Sequence, residues 1–170
     1  MEESIEEKYS ESFSPIVGDK PYVLILGTIP GNDSIRLKQY YANPRNLFWE
    51  IIHSLFNRHI ANEYEKNTEF LKTKNIAIWD VCLKGKRESS LDSDISDEFP
   101  NDLQTFIHNY PSIKLIAFNG QKAEKLYNKY FKPFKDVEYF TLLSTSPANA
   151  SYSYNEKFAD WKRILDFINM

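Results

Sequence analysis

Apolar and polar positions alternate along the chain in two rhythms. PYVLILG (21–27) is a short apolar run stopped by Gly27, the pattern of a buried strand. From Asn46 onward, Leu47, Phe48, Ile51, Ile52, Leu55 and Phe56 recur at the spacing of one helix face. Residues 63–72 predict a further short helix, and NIAIWDV (75–81) a second strand. The polar run KGKRESSLDSDISD (84–97) reads as a loop. Helical spacing returns at Leu103, Phe106 and Ile107, and IKLIAF (113–118) predicts a third strand, followed by Asn119-Gly120. Ala123, Leu126, Tyr127 and Tyr130 mark a helix over 121–130. Residues 138–143 predict a fourth strand, closed by STSPANA, and Phe158, Trp161, Ile164, Leu165 and Ile168 a last amphipathic helix.

Strands that alternate with helices predict a three-layer α/β/α fold around a central, mainly parallel, four-stranded sheet. Residues 1–20 read as an acidic arm and connection, and 21–170 as a single α/β domain. Ligands of open α/β sheets bind beyond the carboxyl ends of the strands. The segments GTIPGN, the 82–94 loop, NGQK and STSPANA leave those ends, and all carry small or polar residues. One rim of the sheet is therefore the expected working face.

Composition narrows the chemistry. A single cysteine, Cys82, excludes an internal disulfide and a cysteine-based zinc or iron–sulfur site, and it fits a reducing cytoplasm. His53, His59 and His108 are poorly spaced for metal, so no metal site is expected. No apolar run is long enough to span a bilayer. The formal net charge is −3, but residues 1–12 hold five of the 24 acids and one of the 21 bases. The remainder, 20 bases against 19 acids, is near neutral, which neither supports nor excludes a nucleic-acid partner.

The segment GTIPGNDSIRLKQYYANPRNLFWEI (27–51) carries the first candidate site. GTIPG lacks the spacing of a phosphate-binding loop and reads as a tight strand-to-helix turn. Pro44 fits the start of a helix, and Asn46 fits an N-cap. Tyr40 and Tyr41 fit either the core or a face on which a base stacks. Asn119 fits both a turn and a pocket role. Trp49, Trp79 and Trp161 read as core, Asp80 as a buried hydrogen-bond acceptor, and Lys122 and Lys125 as the wet face of a helix.

The ordered set G-x-x-P-G, Q-Y-Y-A-x-P-R-N-x-F-W, W-D-V, S-x-D-S-x-I, F-N-G-x-K-A and S-T-S-P-A-N-A, from Val23 to Ala150, resembles the uracil-DNA glycosylase superfamily. It is most similar to the hypoxanthine-DNA (deoxyinosine) branch, related to the mismatch-specific uracil/thymine glycosylases. The resemblance implies a monomeric enzyme without cofactor or metal that flips a damaged base out of DNA. It implies Asn46 as the catalytic residue. Gly27, Thr28, Ile29, Pro30 and Gly31 become a base-pocket loop, Tyr41 a stacking platform, and Ser90 and Asn119 further base contacts. Ser144, Thr145, Ser146, Pro147, Ala148 and Asn149 become a DNA-binding loop, with Arg87 available to phosphate.

Three departures stand out. Many members carry Asp or Asn in the first motif, where this chain has Thr28 and Ile29. Histidine is absent from STSPANA, and Leu143 stands where Pro is expected. The missing acid or amide leaves three functional alternatives open: a catalytically silent nucleic-acid-binding module, a uracil or mismatch-specific glycosylase, and an enzyme of free nucleosides.

Overall fold

The structure is a computed structural model, and it describes residues 9–87, 91 and 95–168. Its centre is a four-stranded sheet of β2 (Val23–Gly27), β3 (Ile76–Asp80), β6 (Leu115–Asn119) and β7 (Glu138–Leu142), in the order β3-β2-β6-β7. All three pairings are parallel. The sheet is buried on both sides, which explains why its strands read as continuous apolar runs. Successive residues of β2 nevertheless serve different layers. Val23 and Ile25 join one core cluster, and Leu24 and Leu26 the other. β6 divides in the same way, Leu115 and Ala117 to the first and Ile116 and Phe118 to the second.

Helices α2 (Phe48–Ser54), α3 (Tyr64–Thr73) and α6 (Tyr154–Trp161) cover the first face with Phe48, Trp49, Ile51, Ile52, Leu71 and Trp161. A 3₁₀ turn at Lys162–Ile164 and α7 (Leu165–Ile168) extend that layer. Helices α4 (Leu103–Asn109) and α5 (Gln121–Tyr130) cover the other face with Leu103, Phe106, Ala123, Leu126 and Tyr127. The expected three-layer α/β/α architecture with a four-stranded parallel sheet is present. Strand order reverses direction between β2 and β6, so the topological switch point, where α/β sheets open a crevice, lies between the Gly27 and Asn119 ends.

Two elements differ from the sequence reading. The polar run 84–97 is not wholly a loop, because β4 (Cys82–Arg87) and β5 (Ile95–Pro100) pair as antiparallel strands. Gly85 permits this packing, since a Cβ there would lie 3.4 Å from Ile95 Cγ2. Residues 9–17 are also more than an arm. β1 (Tyr9–Glu11) adds a third strand beside β4, and Ile16 bridges to Ile78 in both backbone directions. Phe13, Ile16 and Val17 pack against the core clusters. A short helix, α1 (Asn32–Leu37), follows the first loop, where no helix was expected.

Candidate active site

The loops at the carboxyl ends of the strands enclose a cleft of about 380 Å³. Its walls hold Gly27 to Ser34, Tyr40, Tyr41, Asn43, Arg45, Asn46, Asp80, Arg87, Leu91, Asn119 and Ser144 to Ala148. Most of the residues expected to act together are thus brought to one cavity. Ser90 lies outside the described residues. Asn149 does not line the cleft: its Nδ2 donates to Ser144 O (3.2 Å), closing the last loop on itself.

The first loop is held from one side. Gly27 O and Thr28 O accept from Val81 N (2.9 Å) and Cys82 N (3.1 Å). Ile29 O and Pro30 O accept from Arg87 Nη1 (3.2 and 3.0 Å). Four consecutive carbonyls are therefore tied to the β3–β4 segment, leaving a rigid loop. Arg87, expected to meet DNA phosphate, instead spends this guanidinium nitrogen on holding the loop in place.

Asn46 is set by its own turn. Asn43 Oδ1 accepts from Arg45 N (2.9 Å), Asn43 O accepts from Asn46 N (2.9 Å), and Asn46 Oδ1 accepts from Phe48 N (3.0 Å). The side chain thus satisfies an open N–H at the start of α2, as the capping reading expects, and also lines the cleft. Both readings hold, because one lone pair of the oxygen serves the helix while the rest of the amide borders the cavity. Among the described residues Asn46 Nδ2 has no protein hydrogen-bond partner. The neighbouring Arg45 was not singled out from the sequence. It is exposed on the rim, and among the described residues its guanidinium makes no ion pair or hydrogen bond. Its place directly before Asn46 is the signal that could have found it.

Tyr41 stacks on Phe48, with ring centroids 4.0 Å apart and planes at 23°. Its backbone is left-handed, φ 54°, an uncommon state for a bulky residue. Three anchors hold the surrounding peptides: Tyr40 N donates to Tyr64 Oη (3.0 Å), Trp49 Nε1 to Tyr40 O (2.9 Å), and Ala42 N to Ser34 Oγ (3.1 Å). Strain persists where neighbours over-determine it, often at functional sites. Tyr40 itself is core: its hydroxyl donates toward the carbonyls of Phe13 and Ser14, and burial, then the charge of Asp80, push its pKa up.

Asn119 has a different task from the expected one. Its Nδ2 donates to Thr145 Oγ1 (2.9 Å), and its Oδ1 accepts from Thr145 N (3.0 Å). The amide clasps the last loop instead of standing open to a base edge. Thr145 is fully buried, and its carbonyl accepts from Leu47 N (3.1 Å). One chain of contacts therefore runs from the end of β6 through the last loop to the residue after Asn46. Gly120 makes the corner: its φ is +97°, and a Cβ would stand 3.0 Å from Ser144 Cβ.

The last loop is braced from α6. Leu143 N donates to Asp160 Oδ2 (2.7 Å), and Leu143 O accepts from Trp161 Nε1 (2.8 Å). Proline has no N–H, so the leucine at this position makes a bond that proline would forfeit. Lys157 is almost fully buried, which pushes its pKa down, and its Nζ donates to Ser146 O (3.4 Å). Ser153 and Glu156 form a capping box that fixes where α6 begins. Ser144, Ser146, Pro147 and Ala148 consequently reach the cleft from a fixed base, with Ala148 exposed.

Asp80 is the residue whose place the sequence underrated. It ends β3, is 4% exposed, lines the cleft, and accepts from Ser12 Oγ (3.2 Å) at Oδ2. Asn101 Nδ2 supports it from behind, donating to Asp80 O (2.8 Å) and Cys82 O (3.0 Å). Burial pushes the Cys82 thiol up to about 12, so it stays protonated and inert. Among the described residues, no helix is long and apolar enough to cross a membrane.

Known proteins share this arrangement. A Methanosarcina acetivorans protein named hypoxanthine DNA glycosylase is 36% identical over 156 residues, covering 90% of this chain and 96% of the relative. A Methanosarcina barkeri protein of the same name is 37% identical over 142 residues, covering 82% and 87%. A solution NMR structure of a candidate uracil DNA glycosylase from M. acetivorans superposes with a TM-score of 0.80 at 34% identity, covering 96% of this chain and all of that one. The sequence profile of the uracil DNA glycosylase superfamily matches residues 15–167, and the chain belongs to that superfamily.

Proposed function

We propose that the protein is a monofunctional DNA glycosylase that removes hypoxanthine from deoxyinosine and leaves an abasic site. The observation that carries the reading is Asn46, anchored through Phe48 N at the edge of a cleft built by the first and last loops. Its support from relatives is the name hypoxanthine DNA glycosylase borne by two proteins 36–37% identical over most of this chain.

Cleavage of an N-glycosidic bond builds positive charge on the sugar and negative charge on the departing base. Water attacks C1′, a C–O bond forms, the bond from C1′ to N9 breaks, and the proton lost by water balances the charge on the released base. Asn46 serves by holding that water, since a neutral amide orients better than it abstracts. The rigid 27–31 loop presents backbone N–H groups to the leaving base, where fixed donors are worth most. Tyr41 gives the base a ring to stack on, and Pro147 and Ala148 press toward the emptied stack. A wobble pair with thymine is already weakened, which lowers the cost of flipping deoxyinosine. Arg45 and the Ser144–Ser146 loop fit the flanking phosphates. The same reading has the protein acting as a monomer on DNA in a reducing cytoplasm.

The test is a panel of duplexes, each with one lesion, scored for abasic sites without added metal. Hypoxanthine release is expected, and Asn46→Ala is expected to lose roughly 10²–10³ in rate while staying folded. Full activity in Asn46→Ala removes the assignment. Tight binding to inosine DNA without base release would mark a silent binding module instead.

A further inference from the structure

The first motif of this chain has no acid or amide before Pro30, and the amide of Asn119 is engaged at both ends by Thr145. Neither place leaves a group whose first duty is to read the base. A carboxylate does reach the same cleft from the neighbouring strand. Asp80 pairs in register with Gly27, the last residue of β2, so its side chain emerges level with the start of the first loop. A Cβ on Gly27 would lie 2.7 Å from Asp80 Oδ1 and 3.1 Å from the Tyr41 hydroxyl. The missing side chain at Gly27 is what lets the carboxylate lean across the strand end beside the stacking platform. Oδ2 is turned to Ser12 Oγ (3.2 Å). A buried carboxylate is costly unless hydrogen bonds satisfy it, and a lining position gives it a further donor whenever a base with an N–H enters.

We propose that Asp80 is the base-reading carboxylate of the cleft, accepting the ring N–H that lies beside a carbonyl, which is N1–H in hypoxanthine. The inference rests on the glycosylase reading above and sets its substrate class: 6-oxo purines, and pyrimidines with the equivalent N3–H. Adenine presents a lone pair at N1, and a carboxylate oxygen repels it. The acid that deaminated bases meet is therefore delivered by register from the W-D-V strand. The selection is against the undamaged parent base, because deamination is the change that converts the ring nitrogen from acceptor to donor.

The test compares two duplex substrates, deoxyinosine and 1-methyldeoxyinosine, which lacks the N1 proton. Single-turnover base release is measured with the full-length wild type, Asp80→Asn and Gly27→Ala. The wild type is expected to favour deoxyinosine strongly. Asp80→Asn is expected to slow deoxyinosine by about 10- to 100-fold, the loss of a hydrogen bond to a charged group, and to leave 1-methyldeoxyinosine unchanged. Gly27→Ala, which keeps the carboxylate but must displace it, is expected to lower the same ratio. Binding to a duplex with a tetrahydrofuran abasic analogue reports whether each variant is folded, since that ligand has no base to read. Equal slowing on both substrates, or an unchanged ratio in the folded variants, overturns the proposal. A wild type that releases no base from any lesion overturns the glycosylase reading instead.

Discussion

Replacing Asn119 with alanine tests whether this amide holds the last loop or reads the base. The substitution deletes two short contacts to Thr145, one to its hydroxyl and one from its N–H. Thr145 is fully buried and Asn119 is 7% exposed, so water cannot replace either contact without opening the loop. A stranded buried N–H costs about 1–3 kcal/mol, and the hydroxyl contact adds about 1 kcal/mol. The sum is about 2–4 kcal/mol. For a domain of this size, roughly 2–4 °C of Tm accompanies each kcal/mol, so thermal unfolding should fall by roughly 6–12 °C near the middle of that range. The Leu47 N to Thr145 O bond weakens with the loop, loosening the start of α2 beside Asn46. Base release should slow by the same factor for every lesion, and duplex binding should weaken. An unchanged Tm refutes the clasp, and a changed rank order among lesions means that Asn119 contacts the base after all.

Gly120→Ala should destabilise the fold by about 2–4 kcal/mol, combining strain at φ +97° with a 3.0 Å approach to Ser144 Cβ, and denaturant unfolding measures it. Arg45→Ala should weaken binding to any duplex and reduce the slope of log K against log salt by about 1, with kcat at saturating DNA unchanged; fluorescence anisotropy across a salt series reads this. His53 Nδ1 donates to Trp49 O (2.7 Å), and burial holds its pKa below the usual histidine value. Its folded pKa is depressed, so the unfolded chain takes up the proton first. Stability is full above about pH 6.5 and falls as pH drops through that value toward the folded pKa. Tm measured from pH 8 to pH 5 (about three decades of proton concentration) should show this loss, and His53→Phe should flatten it.

Much of the molecule was legible from local pattern. Apolar runs of strand length gave β2, β3, β6 and β7, and helical spacing gave α2 through α6, because burial imposes a period wherever an element faces the core. The alternation of these elements set the layers and the rim where loops converge. Ordered motifs pointed to the superfamily and to Asn46. Other features were not visible at that level. β4 and β5 belong to a small side sheet with much of its surface in water, so apolar periodicity did not mark them. α1 is six residues long and starts after a glycine without a side-chain cap.

The sequence by itself determined the elements, their order and the residue types at the rim, since those depend on neighbours a few positions away. Tertiary structure alone decided what each rim residue does. Arg87 meets the carbonyls of Ile29 and Pro30 across 58 and 57 residues, Asn119 meets Thr145 across 26, and Asp80 stands beside Gly27 through strand register. Such partners are fixed by how strands align and where loops return, which no local period records.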